Sequence, residues 1–284
     1  MIFLASTRYT PSNQLSLMPS RIWITAALFL LALLGMAVFV EPARLEILHH
    51  DLRVEPQRPG LRVVQLSDLH LHAMGAHEQR VVQQVHALRP DLLVLSGDMV
   101  DRIDSLPVLR EFLAAVGPVR TVAVPGNWEH WSDVDFVDLQ ELIQSRPDMK
   151  LLLNERWSFK HRGRTIEVIG LDDFTAGQPD LQMLTPSIGM DVSLLVQHSP
   201  GFFDKAEVSQ RMQGSRFDLC LSGHTHGGQI AFWGWAPFRP RGSGRFTAGF
   251  YDVLGCQLFV SKGVGTSVLP IRWGALPEVI VFEL

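Results

Sequence analysis

Residues 61–70 read LRVVQLSDLH, an apolar run of strand type that ends in Asp68 and His70. The pattern recurs four times, because other candidate metal ligands also follow short apolar runs: Asp98, Asn127, His198 and the pair His224 and His226. In open α/β sheets, ligands gather beyond the carboxyl ends of the strands. The spacing therefore predicts that these seven side chains meet at one edge of a sheet.

The residue types indicate what they bind. A carboxylate next to an imidazole, as in Asp68-Leu69-His70, suits Mn²⁺, Fe or Zn²⁺ better than Ca²⁺. If the strand continues past Ser67, a spacing of two residues places both side chains on the same face. Asp98 follows Gly97, which permits a sharp turn, and one carboxylate can bind two cations at once. The pattern predicts a two-metal site that hydrolyses phosphate esters.

Taken singly, each cluster has a simpler explanation. Asp98 could cap the next helix, Asn127 could complete a Pro-Gly-Asn turn, and His198 could be a hydrogen-bonded core residue. The segment 222–229, SGHTHGGQ, is more specific, since its glycines let a metal or substrate approach the backbone. All the clusters together favour the metal site.

The series D-L-H, G-D-x-x-D, G-N, a lone His and G-H-T-H resembles the calcineurin-like metallophosphoesterase superfamily over residues 60–284. The resemblance implies an α/β fold, a two-sheet β-sandwich flanked by helices. It also implies two divalent cations, Mn²⁺, Fe or Zn²⁺ with Mn²⁺ favoured. One would be held by Asp68, His70, Asp98 and His226. The other would be held by Asp98, Asn127, His198 and His224, with Asp98 bridging.

The end of the chain, LFVSKGVGTSVLPIRWGALPEVIVFEL, together with SGHTHGGQI, is similar to the membrane-associated phosphodiesterases of that superfamily. That branch includes an enzyme of the lipid A pathway that acts on UDP-2,3-diacylglucosamine. The resemblance implies a hydrolase of a phosphodiester or pyrophosphate bond in a lipid-linked or nucleotide substrate. A phosphodiesterase of broad specificity and a non-catalytic metal-binding scaffold are the alternatives.

One position departs from the family. Many members read G-N-H-[DE], where the His is thought to protonate the leaving oxygen, whereas this chain reads Gly126-Asn127-Trp128-Glu129-His130. A general acid contributes about 10²–10⁴ in rate. Its loss should harm monoesters with poor leaving groups most, which favours diester or pyrophosphate cleavage. Glu129 and His130 are candidate acid/base residues beside the catalytic candidates Asp98, Asn127 and His198. Asp101 could orient a ligand histidine or cap a helix.

The N-terminal part has a different composition. Residues 22–40 are apolar apart from one Thr and one Gly, and about 1.5 Å per residue lets them just cross a hydrocarbon core of about 30 Å. A cleaved signal peptide is the alternative. We predict a disordered tail (1–21), a single-pass anchor in a bacterial inner membrane (22–40), a linker (41–59), which could contain an edge strand in LEILHHDLRV, and the hydrolase domain (60–284). The arginines flanking the anchor weakly favour a cytoplasmic domain.

Within the domain, helical spacing of apolar residues predicts helices at 77–88, 105–115 and 133–145. Strands are predicted at 61–66, 91–96, 119–124, 166–171, 192–197, 217–222, 229–232, 257–261 and 278–283. The first three strands alternate with helices, as in a parallel sheet. The later ones follow each other closely, as in antiparallel hairpins.

Composition narrows the function further. The net charge of −4 excludes the basic field of a nucleic-acid-binding protein. Two cysteines, Cys220 and Cys256, are too few for a disulfide framework and are interpreted as small core residues. Segment 230–251 mixes aromatic residues with arginines, and we expect it to contact lipid or substrate phosphates unless it packs its own aromatics. Its members are Trp233, Trp235, Phe238, Phe246, Arg239, Arg241 and Arg245.

Overall fold

The computed structural model describes residues 20–53 and 60–284, which fall into two compact units divided after Met36. The first contains helix α1 (Ser20–Gly35), and a π-helical turn follows at Met36–Val40. Within the described residues, Ile22–Val40 is the one helical segment long and apolar enough to cross a membrane, with a mean hydropathy of 2.5. Most of the predicted tail, and residues 54–59 of the predicted linker, lie outside the described residues.

The unit Ala37–Leu284 is built on two six-stranded sheets. The first has the order β1-β12-β2-β3-β4-β5. Its strands are β1 (Glu46–Asp51), β2 (Arg62–Leu66), β3 (Leu92–Ser96), β4 (Thr121–Val124), β5 (Met149–Leu151) and β12 (Glu278–Glu283). Strands β2 to β5 pair in parallel, and the long helices between them are α2 (Ala76–Leu88), α3 (Leu106–Val116) and α5 (Phe136–Gln144).

The second sheet has the order β10-β11-β9-β8-β7-β6. Its strands are β6 (Glu155–His161), β7 (Arg164–Gly170), β8 (Val192–Val196), β9 (Leu219–Ser222), β10 (Gly249–Val253) and β11 (Cys256–Val260). Two short helices complete the fold, α4 (Asn127–Trp131) and α6 (Ala206–Met212), with 3₁₀ turns at Ile103–Ser105, Leu181–Met183, Pro200–Asp204 and His226–Gly228.

The two sheets pack face to face, and helices cover their outer faces. Val94 and Val122 of the first sheet belong to one buried cluster with Leu194 and Leu221 of the second. A second cluster joins the outer face of the first sheet to α2, α3 and α5. Central strands such as β3 and β8 are buried on both faces, which is why they read as continuous apolar runs. Full burial of one Val or Leu side chain stabilises the folded state by about 1.5–3 kcal/mol relative to leaving that side chain in water. The predicted two-sheet α/β sandwich is therefore confirmed.

Several features differ from the prediction, which did not contain strands β5, β6 and β10. Strands β7, β8 and β9 pair in parallel, not as hairpins, because the connections between them carry 3₁₀ turns and α6 back across the sheet. Residues 229–232 form no strand and contribute only the isolated bridges Ile230–Trp273 and Phe232–Trp235. The edge strand expected in LEILHHDLRV is present as β1, which pairs with β12, so the folded unit begins before residue 60, where the hydrolase domain was predicted to start.

The two cysteines are buried, as predicted, but they also form a disulfide, which was not predicted. Cys220 lies in β9 and Cys256 begins β11, and these strands are neighbours in the second sheet. Their Cα atoms are 6.0 Å apart across a sequence separation of 36 residues. The bond closes a loop that contains the 222–229 motif.

Candidate metal centre

The candidate ligands lie on turns that follow the strands, and most have unusual backbone geometry. A positive φ is uncommon outside glycine and clusters at functional sites, where each instance costs about 1–3 kcal/mol. It occurs at Asp68 (φ 53°), His70 (44°), Asp98 (53°), His224 (71°) and His226 (50°). Strand β2 ends at Leu66, so the Asp68 and His70 side chains meet through left-handed turns and not through a continued strand.

Asp68, His70 and His226 form the first ligand group. Nε2 of His70 lies 3.2 Å from Nε2 of His226, which lies 3.3 Å from Oδ1 of Asp68. All three side chains are buried, and their candidate ligand atoms lie within 4.8 Å of one another. Two imidazole nitrogens that face each other beside a carboxylate leave room for a cation between them.

Asp98, His198 and His224 form the second group, again within 4.8 Å, and Asn127 joins it. Oδ2 of Asp98 lies 3.1 Å from Nε2 of His198, and Nδ1 of His224 lies 2.7 Å from Oδ1 of Asn127. The same Asp98 oxygen is 3.8 Å from Nε2 of His70 in the first group. Asp98 therefore lies between the two groups, where a bridging ligand belongs.

Backbone carbonyls fix the tautomers of two ligand histidines. Nδ1 of His198 lies 2.7 Å from the Ser96 carbonyl, and Nε2 of His224 lies 2.8 Å from the Arg241 carbonyl. A carbonyl only accepts, so these nitrogens must carry the protons. The other nitrogen of each ring faces Asp98 or Asn127, and in a metal-bound site it would be the ligand atom, once any proton it shares with that neighbour is released.

The electrostatics of the site also fit cations. Burial raises the pKa of Asp68 to about 6 and lowers that of His70 to about 4, and the pKa of His226 falls well below its usual value. Burial opposes ionisation of Asp98 too, but the adjacent His198 outweighs it and lowers the pKa. Nε2 of His198 and Nδ1 of His70 are buried without a hydrogen-bond partner. Carboxylate, amide and imidazole donors in this number suit two divalent transition-metal ions.

Two glycines make this close approach possible. A Cβ on Gly97 would lie 2.4 Å from Nδ1 of His198, and a Cβ on Gly223 would lie 1.7 Å from Oγ of Ser67. Gly97 also has a φ of +96°, as its position at the turn predicted. Larger residues at either position would push the ligand-bearing loops apart.

Glu129 is fully buried and does not face the ligands as an acid or base. Its carboxylate accepts hydrogen bonds from the backbone N–H groups of Asp98 (3.1 Å), Met99 (2.6 Å), Val100 (3.0 Å) and Gly126 (2.7 Å). Burial raises the pKa of Glu129 to about 7 despite these bonds. The side chain joins the turn that carries Asp98 to the turn that carries Asn127.

His130 is directed to the second sheet, where its Nε2 lies 2.6 Å from Oδ1 of Asp172. Burial opposes its protonation, but the Asp172 carboxylate outweighs this effect, so the pKa of His130 is raised. Trp128 occupies the family's histidine position, with its ring edge-to-face against His70 at 6.0 Å between centroids. Oδ2 of Asp101 is 3.1 Å from Nε2 of His72 but 3.9 Å from Nδ1 of His70, so its contact with the ligand histidine is the longer one.

Sequence reasoning missed Arg272, which is fully buried beneath the first group. Its guanidinium donates to the carbonyls of Lys262, Gly263, Gly265 and Ala275, and Nη2 lies 3.5 Å from Nδ1 of His226. Burial lowers the pKa of this group to about 10. The motif around it, PIRWG, gave no signal, since an isolated Arg is normally a surface residue.

The aromatic segment 230–251 divides into two parts. Trp233, Trp235 and Phe238 are exposed, whereas Phe246 is fully buried and packs edge-to-face on Tyr251. Arg245 pairs with Asp204 at 3.1 Å. Phe246 therefore packs within the segment, as the second interpretation has it, whereas the expected contact of the exposed aromatics with lipid or substrate phosphates stays a prediction.

The fold and the paired ligand groups are those of a metal-dependent phosphoesterase. The family model for calcineurin-like phosphoesterases matches residues 61–228, more than half of the chain. The chain belongs to this family, and the predicted enzyme class, a metal-dependent hydrolase of phosphoric esters, is confirmed.

Relatives with similar sequences come from diverse organisms. The chain is 28% identical to an uncharacterized metallophosphoesterase, YkuE, of Bacillus subtilis, over 88% of this chain and 89% of that protein. It is 28% identical to an uncharacterized metallophosphoesterase of Aquifex aeolicus, over 90% and 98%. A Bos taurus transmembrane protein with a metallophosphoesterase domain is 29% identical, over 94% of this chain and 62% of that protein.

Among solved structures, a dimetal phosphatase from Danio rerio is similar with a TM-score of 0.47 and 13% sequence identity, over 73% of this chain and 88% of that one. A similarity this low says nothing about substrate.

Proposed function

We propose that this protein is a membrane-anchored phosphodiesterase that uses two metal ions to cleave a phosphodiester or pyrophosphate bond in a lipid-linked substrate. The observation that carries the proposal is the position of Asp98 between two buried ligand groups, 3.1 Å from His198 and 3.8 Å from His70. When bound, two divalent cations supply Lewis acidity to the phosphoryl oxygens and a water molecule of lowered pKa.

The chain's own residues position and shield that chemistry. Asp68 holds the 224–226 loop through the backbone N–H of His224 at 3.0 Å, and Glu129 holds the Asp98 turn. Nδ1 of His198 donates its proton in a hydrogen bond to the Ser96 carbonyl. Nδ1 is therefore not available to transfer a proton to the substrate, and the ring would act as a metal ligand through Nε2. His130, on the helix that begins at Asn127, is held by Asp172 at 2.6 Å, so we do not assign it the protonation of the leaving oxygen.

Trp128 supports the choice of bond. The indole N–H is too weak an acid to protonate an alkoxide leaving group, whereas a nucleotide or phosphate leaving group is already a stable anion and needs less help. Within this class, UDP-2,3-diacylglucosamine is the candidate that the resemblance suggests. An anchor at residues 22–40 would confine enzyme and lipid to one bilayer, which supports a lipid-linked substrate over a soluble one.

The disulfide favours a second candidate. Disulfides persist in oxidising compartments and are rare in the cytosol. If Cys220 and Cys256 are paired in the cell, the domain lies on the outer side of the inner membrane, opposite to the side that the flanking arginines favour. A cytosolic nucleotide lipid would not reach it there. The second candidate is therefore a broader phosphodiesterase that acts on lipid-linked phosphates of the outer leaflet.

The test uses the full chain, because β1 belongs to the first sheet and a fragment from residue 60 would lose it. The protein is stripped of metal, reloaded with Mn²⁺, Fe²⁺ or Zn²⁺, and assayed with bis(p-nitrophenyl) phosphate and p-nitrophenyl phosphate. We expect metal-dependent diester cleavage, a weaker monoester rate, and loss of both in Asp98→Asn. UDP-2,3-diacylglucosamine in detergent micelles is assayed next.

The outcomes separate the candidates. Turnover of the nucleotide lipid far above the simple diester supports the lipid A substrate, whereas comparable rates support the broader phosphodiesterase. Two bound metal ions with no turnover of any diester would favour the non-catalytic scaffold. Alkylation at lysis under denaturing conditions, before and after reduction, then shows whether Cys220 and Cys256 are paired in the cell, and hence on which side of the membrane the domain lies.

A further inference from the structure

Two loops beside the metal centre expose apolar side chains at residues with an unfavourable, left-handed backbone. Trp233 is 102% exposed with a φ of 49°, and Val268 is 85% exposed with a φ of 63°. A left-handed backbone is unfavourable for bulky and β-branched residues, and water contact is unfavourable for their side chains. Local conflicts of this kind mark functional positions. At both residues the left-handed backbone and the contact of the apolar side chain with water are unfavourable, and the side chain is nevertheless exposed.

These loops belong to one surface. The side chain of Gln229, three residues after the ligand His226, donates to the Leu269 carbonyl at 2.9 Å and accepts from the Ser267 backbone at 3.0 Å. Ala231 N–H donates to the Trp273 carbonyl at 2.7 Å. The loop with Trp233, Trp235 and Phe238 and the loop with Val268 and Leu269 are thus fastened together through residues 229–231. We name these five exposed side chains the apolar rim.

The loop that carries Val268 also binds the first residues of its own unit, Ala37–Leu284. The backbone N–H of Arg272 donates to the Ala37 carbonyl at 3.0 Å, and that of Gly274 donates to Oε2 of Glu41 at 2.7 Å. Phe39, between them in sequence, is 76% exposed. Ala37, which the candidate anchor includes, is therefore bound to the loop that carries Val268.

The rim also borders the ligands. The Arg241 carbonyl holds His224, and the guanidinium of Arg272 approaches His226 at 3.5 Å. Arg239 and Arg241 are exposed in the same segment as the tryptophans. Tryptophan at the headgroup level and arginine beside phosphates are the residues that membrane interfaces favour.

We infer that the apolar rim is inserted into the bilayer interface and holds the metal centre at the membrane surface, so that the phosphoester is taken from a lipid within the layer and not from solution. This rests on the proposed function, since it assumes an anchored phosphodiesterase. It adds that the domain itself is seated on lipid, with the rim as a second attachment besides the N-terminal segment.

The chain offers matched controls. Ile188 is 101% exposed, but its neighbour Ser187 contacts Glu167 of the second sheet, so its loop is not part of the rim. Trp157 lies in β6 against Arg120. We therefore compare Val268→Ser with Ile188→Ser, and Trp233→Phe with Trp157→Phe.

The first readout is position and does not depend on activity. The full chain is reconstituted into phosphatidylcholine and phosphatidylglycerol vesicles that contain a phospholipid brominated near the headgroup end of its acyl chains. If Trp233 is in the interface, Trp233→Phe removes part of the quenched tryptophan fluorescence and Trp157→Phe does not. Equal quenched fractions in both variants would overturn the inference.

The second readout is the source of the substrate. A phosphatidyl p-nitrophenol in the same vesicles is compared with bis(p-nitrophenyl) phosphate in solution. We expect Val268→Ser to lower the lipid rate several-fold with the soluble rate unchanged, and Ile188→Ser to change neither. A lipid rate unaffected by Val268→Ser counts against the inference. If no diester is hydrolysed but Trp233 is quenched as expected, the proposed function is wrong, and the inference that the apolar rim inserts into the bilayer is still supported.

Discussion

Oδ2 of Asp98 lies 3.1 Å from Nε2 of His198, and both side chains are buried. Two further carboxyl groups, Asp68 and Glu129, are buried close to this pair. Desolvation raises the pKa of both, because the site without a cation has too little positive charge to stabilise all three carboxylates. Bound cations provide that positive charge, which makes metal content a direct measure of the site.

Asp98→Asn is the first prediction. The substitution keeps the shape but removes the negative charge shared by both ligand groups. We expect loss of at least one metal ion per chain and a fall in diester turnover of more than about a hundredfold, beyond the 10–100-fold effects typical of outer-shell partners. Metal content and turnover are measured together. Asp104→Asn, at an exposed carboxylate on the neighbouring 3₁₀ turn, is the control and should change neither.

Glu129→Gln tests the role of the buried carboxylate. Its oxygens accept four backbone N–H groups, and the amide NH₂ of Gln would face donors with a donor. We expect a loss of about 2–4 kcal/mol in the free energy of unfolding, since more than one buried N–H is left unpaired. Denaturant unfolding of the metal-free protein measures it. If Glu129 were instead exposed and not bound to the backbone, Glu129→Gln would change the free energy of unfolding by no more than about 0.5 kcal/mol.

The ligand set could be predicted from the sequence, since each ligand type stands at the end of an apolar run. The partners that orient those ligands could not. Ser96 and Arg241 act through backbone carbonyls, which every residue possesses, so no side-chain pattern reveals them. The left-handed turns at Asp68 and His70 were also hidden, because a spacing of two residues fits a strand equally well.

The parallel pairing of strands β7, β8 and β9 in the second sheet could not be predicted from the sequence either, for a related reason. Strands β8 and β9 are short apolar runs, and such runs do not say whether a neighbour is parallel or antiparallel. The connections between them hold only 3₁₀ turns and α6, which have little helical periodicity to detect. Cys220 and Cys256 became partners only because β9 and β11 are adjacent in space.

Trp128→His tests the interpretation of the missing acid. The change restores the family's histidine on α4, where the Trp128 backbone already donates to Oδ1 of Asp98 at 2.9 Å. We expect the monoester rate to rise about tenfold relative to the diester rate, less than the roughly 10²–10⁴ that a general acid supplies, because the rest of the site is not adapted to the added histidine. Rates on an alkyl phosphate monoester and on bis(p-nitrophenyl) phosphate measure the change.

Trp131→His is its control, because Trp131 packs edge-to-face on Trp128 at 5.7 Å and is 55% exposed. A histidine there should leave the ratio of monoester to diester rates unchanged. Equal gains in both variants would mean that an added imidazole acts nonspecifically, and the argument from Trp128 would fail.

The His130–Asp172 pair predicts a pH dependence of stability. The pKa of His130 is raised, so its contribution is complete below the unfolded value of about 6.5 and is lost as pH rises through the folded value. The pKa of Asp172 is lowered, so its contribution is complete above about 3.9 and is lost as pH falls through the folded value. The pair is strongest between these limits.

We therefore expect His130→Gln to cost on the order of 1 kcal/mol in the free energy of unfolding at pH 5.5, and less at pH 9, because the parent loses the charge of His130 as pH rises through its folded pKa. Urea unfolding of both metal-free proteins at the two pH values gives the comparison. A cost that is larger at pH 9 would contradict the assignment of a protonated His130.

The disulfide predicts a stability that depends on reduction. Linking Cys220 to Cys256 closes a loop with a sequence separation of 36 residues, and loops of that size gain about 3–4 kcal/mol from the restriction of the unfolded chain. We expect the purified protein to show no free thiol when denatured without reductant, and to unfold at lower denaturant after reduction. Ser substitution of both cysteines should reproduce the reduced protein and be insensitive to reductant, since these are the chain's only two cysteines. Two free thiols in protein isolated with alkylation at lysis would instead favour a cytoplasmic domain, and with it the nucleotide-lipid substrate.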